Sequence, residues 1–177
     1  MRPTLRWLAE HGAEYRGVLY AGMMLTADGP KVIEYNVRFG DPESQALLPR
    51  VTSDFAELLL AAAVGDKLDV SFSDAACVTV ALTAAGYPAS PRSGDPITGI
   101  DVATAVNTVT VFHAGTTIDD HGTLRTAGGR VLNITATGID LEVARTRAYE
   151  AVSIINFKGM RYRKDIAAAA GAAQRGR

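Results

Sequence analysis

Two apolar runs, Val18–Thr26 and Lys31–Phe39, stand either side of Asp28-Gly29-Pro30. An Asp-Gly pair between two strand-like runs predicts an antiparallel hairpin. The second run also alternates. Side chains on a strand point to opposite faces in turn, so Glu34, Asn36 and Arg38 share one face. Ile33, Tyr35, Val37 and Phe39 share the other, which is expected to meet a core. Three polar groups in a row make the first face a floor under something charged. On the partner strand the small residues Ala21 and Gly22 would leave room above that floor, provided the hairpin pairs symmetrically about its turn.

The residue types narrow what that something is. A carboxylate and an amide carbonyl are hard oxygen donors suited to Mg²⁺, which takes one or two protein ligands and completes its shell with water and phosphate. An arginine beside them stabilises charge on a phosphoryl group in transfer. Taken alone, Glu-x-Asn-x-Arg also fits a solvated strand face with a loose Glu–Arg pair. On the residues alone, both readings stand.

Before the hairpin, Leu5–Glu10 predicts a short helix stopped by Gly12. After it, Asp41 is expected to cap a helix with Pro42 as its first residue. A further helix should start at Asp54, with Glu57 completing a capping box, and end near Gly65. It would turn Phe55, Leu58, Leu59 and Ala62 to one side. Strands follow at Cys77–Ala84, Thr108–His113 and Arg130–Ala136, and the Pro- and Gly-rich segment 86–96 should be a loop. Asp140 would cap a helix burying Leu141, Ala144, Ala148, Val152 and Ile155. The Ala-rich end, from Ile166 to Arg177, reads as a helix and tail. The texture changes near residue 70.

Composition excludes several classes. A length of 177 residues holds one domain or two small ones, and 47% hydrophobic with 21% charged residues is ordinary for a globular chain. A net charge of −1 lacks the basic surplus of a general nucleic-acid binder. No run reaches the roughly 18 apolar residues that span a bilayer, and the N-terminus has no signal-peptide core. The one cysteine, Cys77, sits in an apolar run and reads as a small packed residue, which suits a reducing cytoplasm.

The string Glu34-Tyr35-Asn36-Val37-Arg38-Phe39-Gly40-Asp41-Pro42-Glu43 closely resembles the ATP-grasp ligases, and within them the phosphoribosylamine–glycine ligase family. Tyr15 to Met24, Ala46 to Arg50, Gly86-Tyr87-Pro88, Phe112 to Thr116 and Gly128 to Leu132 match in the same order. The resemblance implies an α+β fold. Residues 1–70 would be the C-terminal portion of an ATP-grasp domain, and 71–177 a small, mostly antiparallel β domain with a packed helix. It also implies ATP-dependent ligation of glycine to 5-phosphoribosylamine through glycyl phosphate, with Mg²⁺ or Mn²⁺.

By the same resemblance Glu34 and Asn36 would hold the metal, Arg38 would face the transferring phosphoryl group, and Asp41 and Glu43 would touch substrate. Arg130, after two glycines able to approach a ligand closely, would grip the ribose phosphate, with Arg125 assisting. His113 is a weaker candidate base. Lys31, His11 and His121 read as surface groups. No glycine-rich phosphate loop precedes Glu34, so the chain is expected to carry one wall of the active site and to be inactive alone. Its expected partners are ATP, glycine and phosphoribosylamine, with a complementary polypeptide or a second copy covering exposed apolar surface. The rival readings are another ATP-grasp ligase, such as a carboxyaminoimidazole-type enzyme, and a non-catalytic remnant or interaction module. The Arg-Phe-Gly-Asp-Pro-Glu run argues against the first, because those relatives read differently after the arginine.

Overall fold

A computed structural model describes residues 1–168. They form two compact units, Met1–Ser44 with Val51–Ser73, and Gln45–Arg50 with the chain from Asp74 onward. Both mix helix with antiparallel sheet, the α+β class expected.

The first unit opens with α1 (Arg2–Glu10), begun earlier than expected because Pro3 sits in its first turn. The hairpin follows as β1 (Tyr20–Thr26) and β2 (Gly29–Asn36). Its register moves the turn: Thr26 pairs with Gly29, so Ala27 and Asp28 are the loop residues and Pro30 lies in the strand. Pro30 is tolerated there because a two-stranded sheet has free edges that need no N–H. Pairing then slips by one residue between Gly22 and Met23.

Two expectations fail in this unit. The ladder ends at Asn36, so Arg38 does not continue the polar face on the strand. The opposite face meets no core either: Ile33 is 64% and Val37 72% exposed, and Tyr35 is exposed as well. A two-stranded sheet buries little by itself, and no residue of β1 or β2 is fully buried.

The chain next forms α2 (Glu43–Leu47), a 3₁₀ turn over Leu48–Arg50 and α3 (Phe55–Val64). The Ser44 amide donates to the Gly40 carbonyl at 2.9 Å, which closes the turn over Asp41 and Pro42. Asp41 and Pro42 lie in that turn, and α2 begins at Glu43, one residue later than expected. In α3 the Asp54 carboxylate accepts from the Ala56 and Glu57 amides, and Gly65 ends the helix at φ 82°. The apolar side foreseen for α3 is only partly covered: Phe55 and Leu59 are exposed, whereas Leu58 and Ala62 are half-buried.

The second unit has its own core. Strands β3 (Ala76–Thr83), β4 (Val109–His113) and β7 (Arg130–Gly138) form an antiparallel sheet in the order β3-β7-β4. Being central, β7 is the most buried strand, with Leu132 and Ile134 fully enclosed. Helix α5 (Leu141–Ile154) starts on an Asp140 cap and packs Ala144, Ala148, Ala151 and Val152 into that core. Its alanines leave room for the backbones to approach, and Gly138 helps: a Cβ there would lie 2.6 Å from the Ala144 nitrogen. A short α4 (Ile100–Thr104) and a small hairpin, β5 (Thr116–Ile118) with β6 (Leu124–Thr126), were not foreseen. Most of the expected terminal helix lies outside the described residues.

Candidate functional site

The bulge in the hairpin decides the geometry of the polar face. Continued pairing from the turn would set Glu34 opposite Ala21. The slip instead sets Glu34 opposite Gly22, and Asn36 opposite Tyr20. A bulge re-aims side chains in this way. A Cβ on Gly22 would sit 3.2 Å from the Glu34 Cγ, so glycine is what leaves the carboxylate its space. Ala21 pairs with Tyr35 and contributes to the other face.

The Asn36 side-chain amide donates to Glu34 Oε1 at 3.1 Å. This leaves Glu34 Oε2 and Asn36 Oδ1 for a ligand, two hard oxygens on adjacent residues of one face. Both fit a divalent cation that draws its remaining ligands from water and phosphate. Among the described residues no cluster of three or more His, Cys, Asp or Glu side chains is built to cage a metal.

Glu43 reaches the same place from α2. Tyr20 hydrogen-bonds its carboxylate, and Gly40 has no side chain in the path that Glu43 takes back toward the strand. Partial burial, then the negative field of Glu43, its hydrogen bond and the field of Glu34 push the Tyr20 phenol above its ordinary range. Tyr20 is thus a neutral donor held between two carboxylates. The sequence reading missed it. The available signal was its place opposite Asn36, legible only once the bulge is counted.

Arg38 stands apart from this group. Its Nη1 donates to the Phe39 carbonyl at 2.8 Å, beyond the end of the paired strand. Asp41 lies two residues before Glu43 in the turn that Gly40 and Ser44 close.

In the second unit Arg130 opens β7 and is exposed, with its Nε donating to the Tyr87 hydroxyl at 3.2 Å. The two glycines before it are closely packed within the unit. A Cβ on Gly129 would lie 2.9 Å from the Tyr87 ring at Cε2, and Gly128 packs on the Gly115 backbone. Arg125 is committed elsewhere: Nε donates to Asp119 at 2.5 Å and Nη1 to the Gly94 carbonyl at 2.9 Å. His113 Nδ1 lies 3.1 Å from Thr116 Oγ1 on an exposed strand end. Burial raises the pKa of the half-buried Cys77 thiol, an effect that Arg50 partly opposes, which keeps it protonated and unreactive.

A family model described as phosphoribosylglycinamide synthetase, C domain, matches residues 77–169, and one for the ATP-grasp (A) domain of the same synthetase matches residues 1–44. The chain belongs to the phosphoribosylglycinamide synthetase family. It is 46% identical over 178 residues to the phosphoribosylamine–glycine ligase of Streptomyces coelicolor, covering 98% of this chain and 42% of that protein. The corresponding ligase of Brucella melitensis is 45% identical over 168 residues, covering 94% and 39%. The crystal structure of the phosphoribosylamine–glycine ligase of Thermotoga maritima superposes with a TM-score of 0.78 at 38% identity, over 92% of this chain and 40% of that one. The chain therefore spans about two fifths of the length of the curated relatives it matches. Among the described residues, no helix is long and apolar enough to cross a membrane.

Proposed function

We propose that this chain supplies part of the active site of a phosphoribosylamine–glycine ligase of purine synthesis. The observation that carries the reading is the Glu34–Asn36 pair opposite Gly22, inside the segment that matches the synthetase ATP-grasp domain. In this reading residues 1–70 are the C-terminal portion of that domain and 71–177 the C-terminal domain. The reaction joins the carboxylate of glycine to the amine of phosphoribosylamine. The γ-phosphoryl of ATP passes to the glycine carboxylate, releasing ADP and leaving an acyl phosphate. The amine then attacks the acyl carbon, phosphate leaves with the bonding pair, and the nitrogen loses a proton.

The residues divide the work by chemistry. Glu34 and Asn36 hold a divalent cation, Mg²⁺ or Mn²⁺, whose part is to offset charge on the nucleotide phosphates. Tyr20 keeps Glu43 oriented by donating to it, and Glu43 and Asp41 face the substrates from the turn. Arg38, once released from the Phe39 carbonyl, reaches the phosphoryl group in transfer. Arg130 grips the ribose phosphate with its planar guanidinium, whose Nε donates to the Tyr87 hydroxyl. The exposed apolar residues of the first unit, Leu25, Ile33 and Val37 among them, are covered by the polypeptide that supplies the rest of the relatives' length, or by a second copy. The half-buried thiol and the lack of a membrane-crossing helix among the described residues suit a cytoplasmic enzyme.

The test joins this chain to the portion of the Streptomyces coelicolor ligase that lies outside the match. ADP release dependent on both glycine and phosphoribosylamine is expected from the combination, and none from the chain alone. Glu34→Gln should remove turnover and leave thermal unfolding unchanged, because Glu34 is exposed. Wild-type rates in that variant at low Mg²⁺ would overturn the metal assignment. Ligation by the isolated chain would overturn its partial role.

A further inference from the structure

The second unit carries an open cleft of about 420 Å³ at the Gly138 end of β7, the end of the strand away from Arg130. Arg147 reaches it from α5. Its Nη1 donates to Thr108 Oγ1 at 3.0 Å and to the Thr137 carbonyl at 2.9 Å, which fixes the guanidinium. Nε and Nη2 donate to nothing among the described residues. Thr108 itself holds φ 62°, a strained conformation for a β-branched residue. It is kept there by bonds on both sides: Oγ1 donates to the Thr137 carbonyl at 2.6 Å, and the Thr108 carbonyl accepts from the Thr137 amide. The contacts that hold the strain also hold Arg147 in place.

Asp74 lines the same cleft, is exposed, and makes no ion pair with Arg147. Ala75 and Ile139 supply an apolar wall, and Ile139 is 88% exposed immediately before the α5 cap. A fixed cationic fork, an uncommitted carboxylate and an apolar wall thus share one cavity. A simple anion would be repelled by Asp74, a simple cation by Arg147, and a neutral apolar solute would strip water from both charges unrewarded. A zwitterion meets all three demands.

The geometry points to a binding site for a free α-amino acid with an apolar side chain, seated between Asp74 and Arg147. The carboxylate takes the free Nε–Nη2 edge of Arg147 as a two-point contact. The ammonium group faces Asp74, and the side chain covers Ile139 and Ala75. The volume is in the range of small-ligand pockets and exceeds what an amino acid without a side chain would fill.

The experiment is calorimetric titration of the whole chain with L-leucine and with 4-methylpentanoate, the same molecule lacking the amino group. Leucine should bind saturably, and 4-methylpentanoate about tenfold more weakly, the loss of one charge-assisted contact. Asp74→Asn, a change at an exposed residue without a fold role, should bring leucine down to the affinity of 4-methylpentanoate and leave the latter unaltered. Arg147→Lys should weaken both. Absence of saturable leucine binding, equal binding of the two probes, or wild-type leucine affinity in Asp74→Asn would each overturn the assignment.

Discussion

Replacing Gly129 by alanine puts a methyl group where the Tyr87 ring now lies. The new Cβ would stand 2.9 Å from Cε2, closer still to Cδ2, and 3.6 Å from the Pro91 Cβ. Ordinary carbon contacts are about 3.5–4.0 Å, so the ring must retreat by roughly half an ångström or more. The backbone is held against yielding, because the Gly129 carbonyl accepts at 2.9 Å from the amide of Ala84, just past the end of β3. Overpacking of this kind costs about 1–3 kcal/mol. Moving the ring also strains the bond from Arg130 Nε to the Tyr87 hydroxyl, worth about 1 kcal/mol. Against this, alanine stabilises by about 0.4–1 kcal/mol through the unfolded chain, since Gly129 does not occupy a left-handed conformation. The net expectation is a loss of about 2 kcal/mol, or about 4–8 °C in Tm for a chain of this length. Urea unfolding measures it, and Tyr87→Ala supplies the second arm: in that background Gly129→Ala should cost almost nothing. A loss below about 0.5 kcal/mol in the wild-type background would refute the packing argument, as would an equal loss in both.

Two further outcomes follow from the second unit. Leu132→Ala removes a fully buried side chain from the central strand and should destabilise by about 2–5 kcal/mol in urea unfolding, whereas Ile118→Ala at an exposed position should change stability by less than about 0.5 kcal/mol. Asp119 accepts from Arg125 and from the Thr123 and His121 amides, which hold its carboxyl below the usual range, the Arg125 bond most of all. A depressed folded pKa contributes stability above the ordinary aspartate value and loses it as pH falls through the folded one. The stability difference between wild type and Asp119→Asn should accordingly be full at neutral pH and shrink as urea midpoints are taken below about pH 4. A difference that is constant down to pH 2.5 would contradict it.

Much of the second unit was legible because local signals and burial agree there. The apolar runs at Cys77 and Arg130 become β3 and the central β7, and the period of Ala144, Ala148 and Val152 becomes the buried side of α5 behind its Asp140 cap. The short pieces were illegible for a physical reason. β5 and β6 are three residues each, and α4 is five, so none offers enough periodicity to stand out from a loop. In the first unit pattern and burial part company. The alternation in β2 and the apolar positions of α3 describe faces made for contact, yet Ile33, Tyr35 and Val37 of the one and Phe55 and Leu59 of the other are exposed here. Periodicity reports what a surface is suited to meet, and a two-stranded sheet cannot meet it alone.

The polar face shows where sequence reading reaches its limit. Residue types and strand alternation were enough to single out Glu34 and Asn36, because hard oxygens two residues apart on a strand must lie on one face. They were not enough to decide what faces them. That depends on a single inserted residue: without the slip between Gly22 and Met23, Glu34 would look across at Ala21 and Asn36 at Leu19. With it, the carboxylate has the open side of a glycine and the amide has Tyr20, which carries Glu43 into the group. No composition or period encodes that slip. Arg38 makes the converse point, since alternation extends a face only as far as the ladder, and the ladder stops at Asn36. Past the strand end its guanidinium turns to the Phe39 carbonyl at 2.8 Å and not to the face that Glu34 and Asn36 share. Under the proposed roles, two ladder positions at Glu34 and Asn36 suit holding a cation, and a position past the ladder at Arg38 suits meeting a phosphoryl group in transfer.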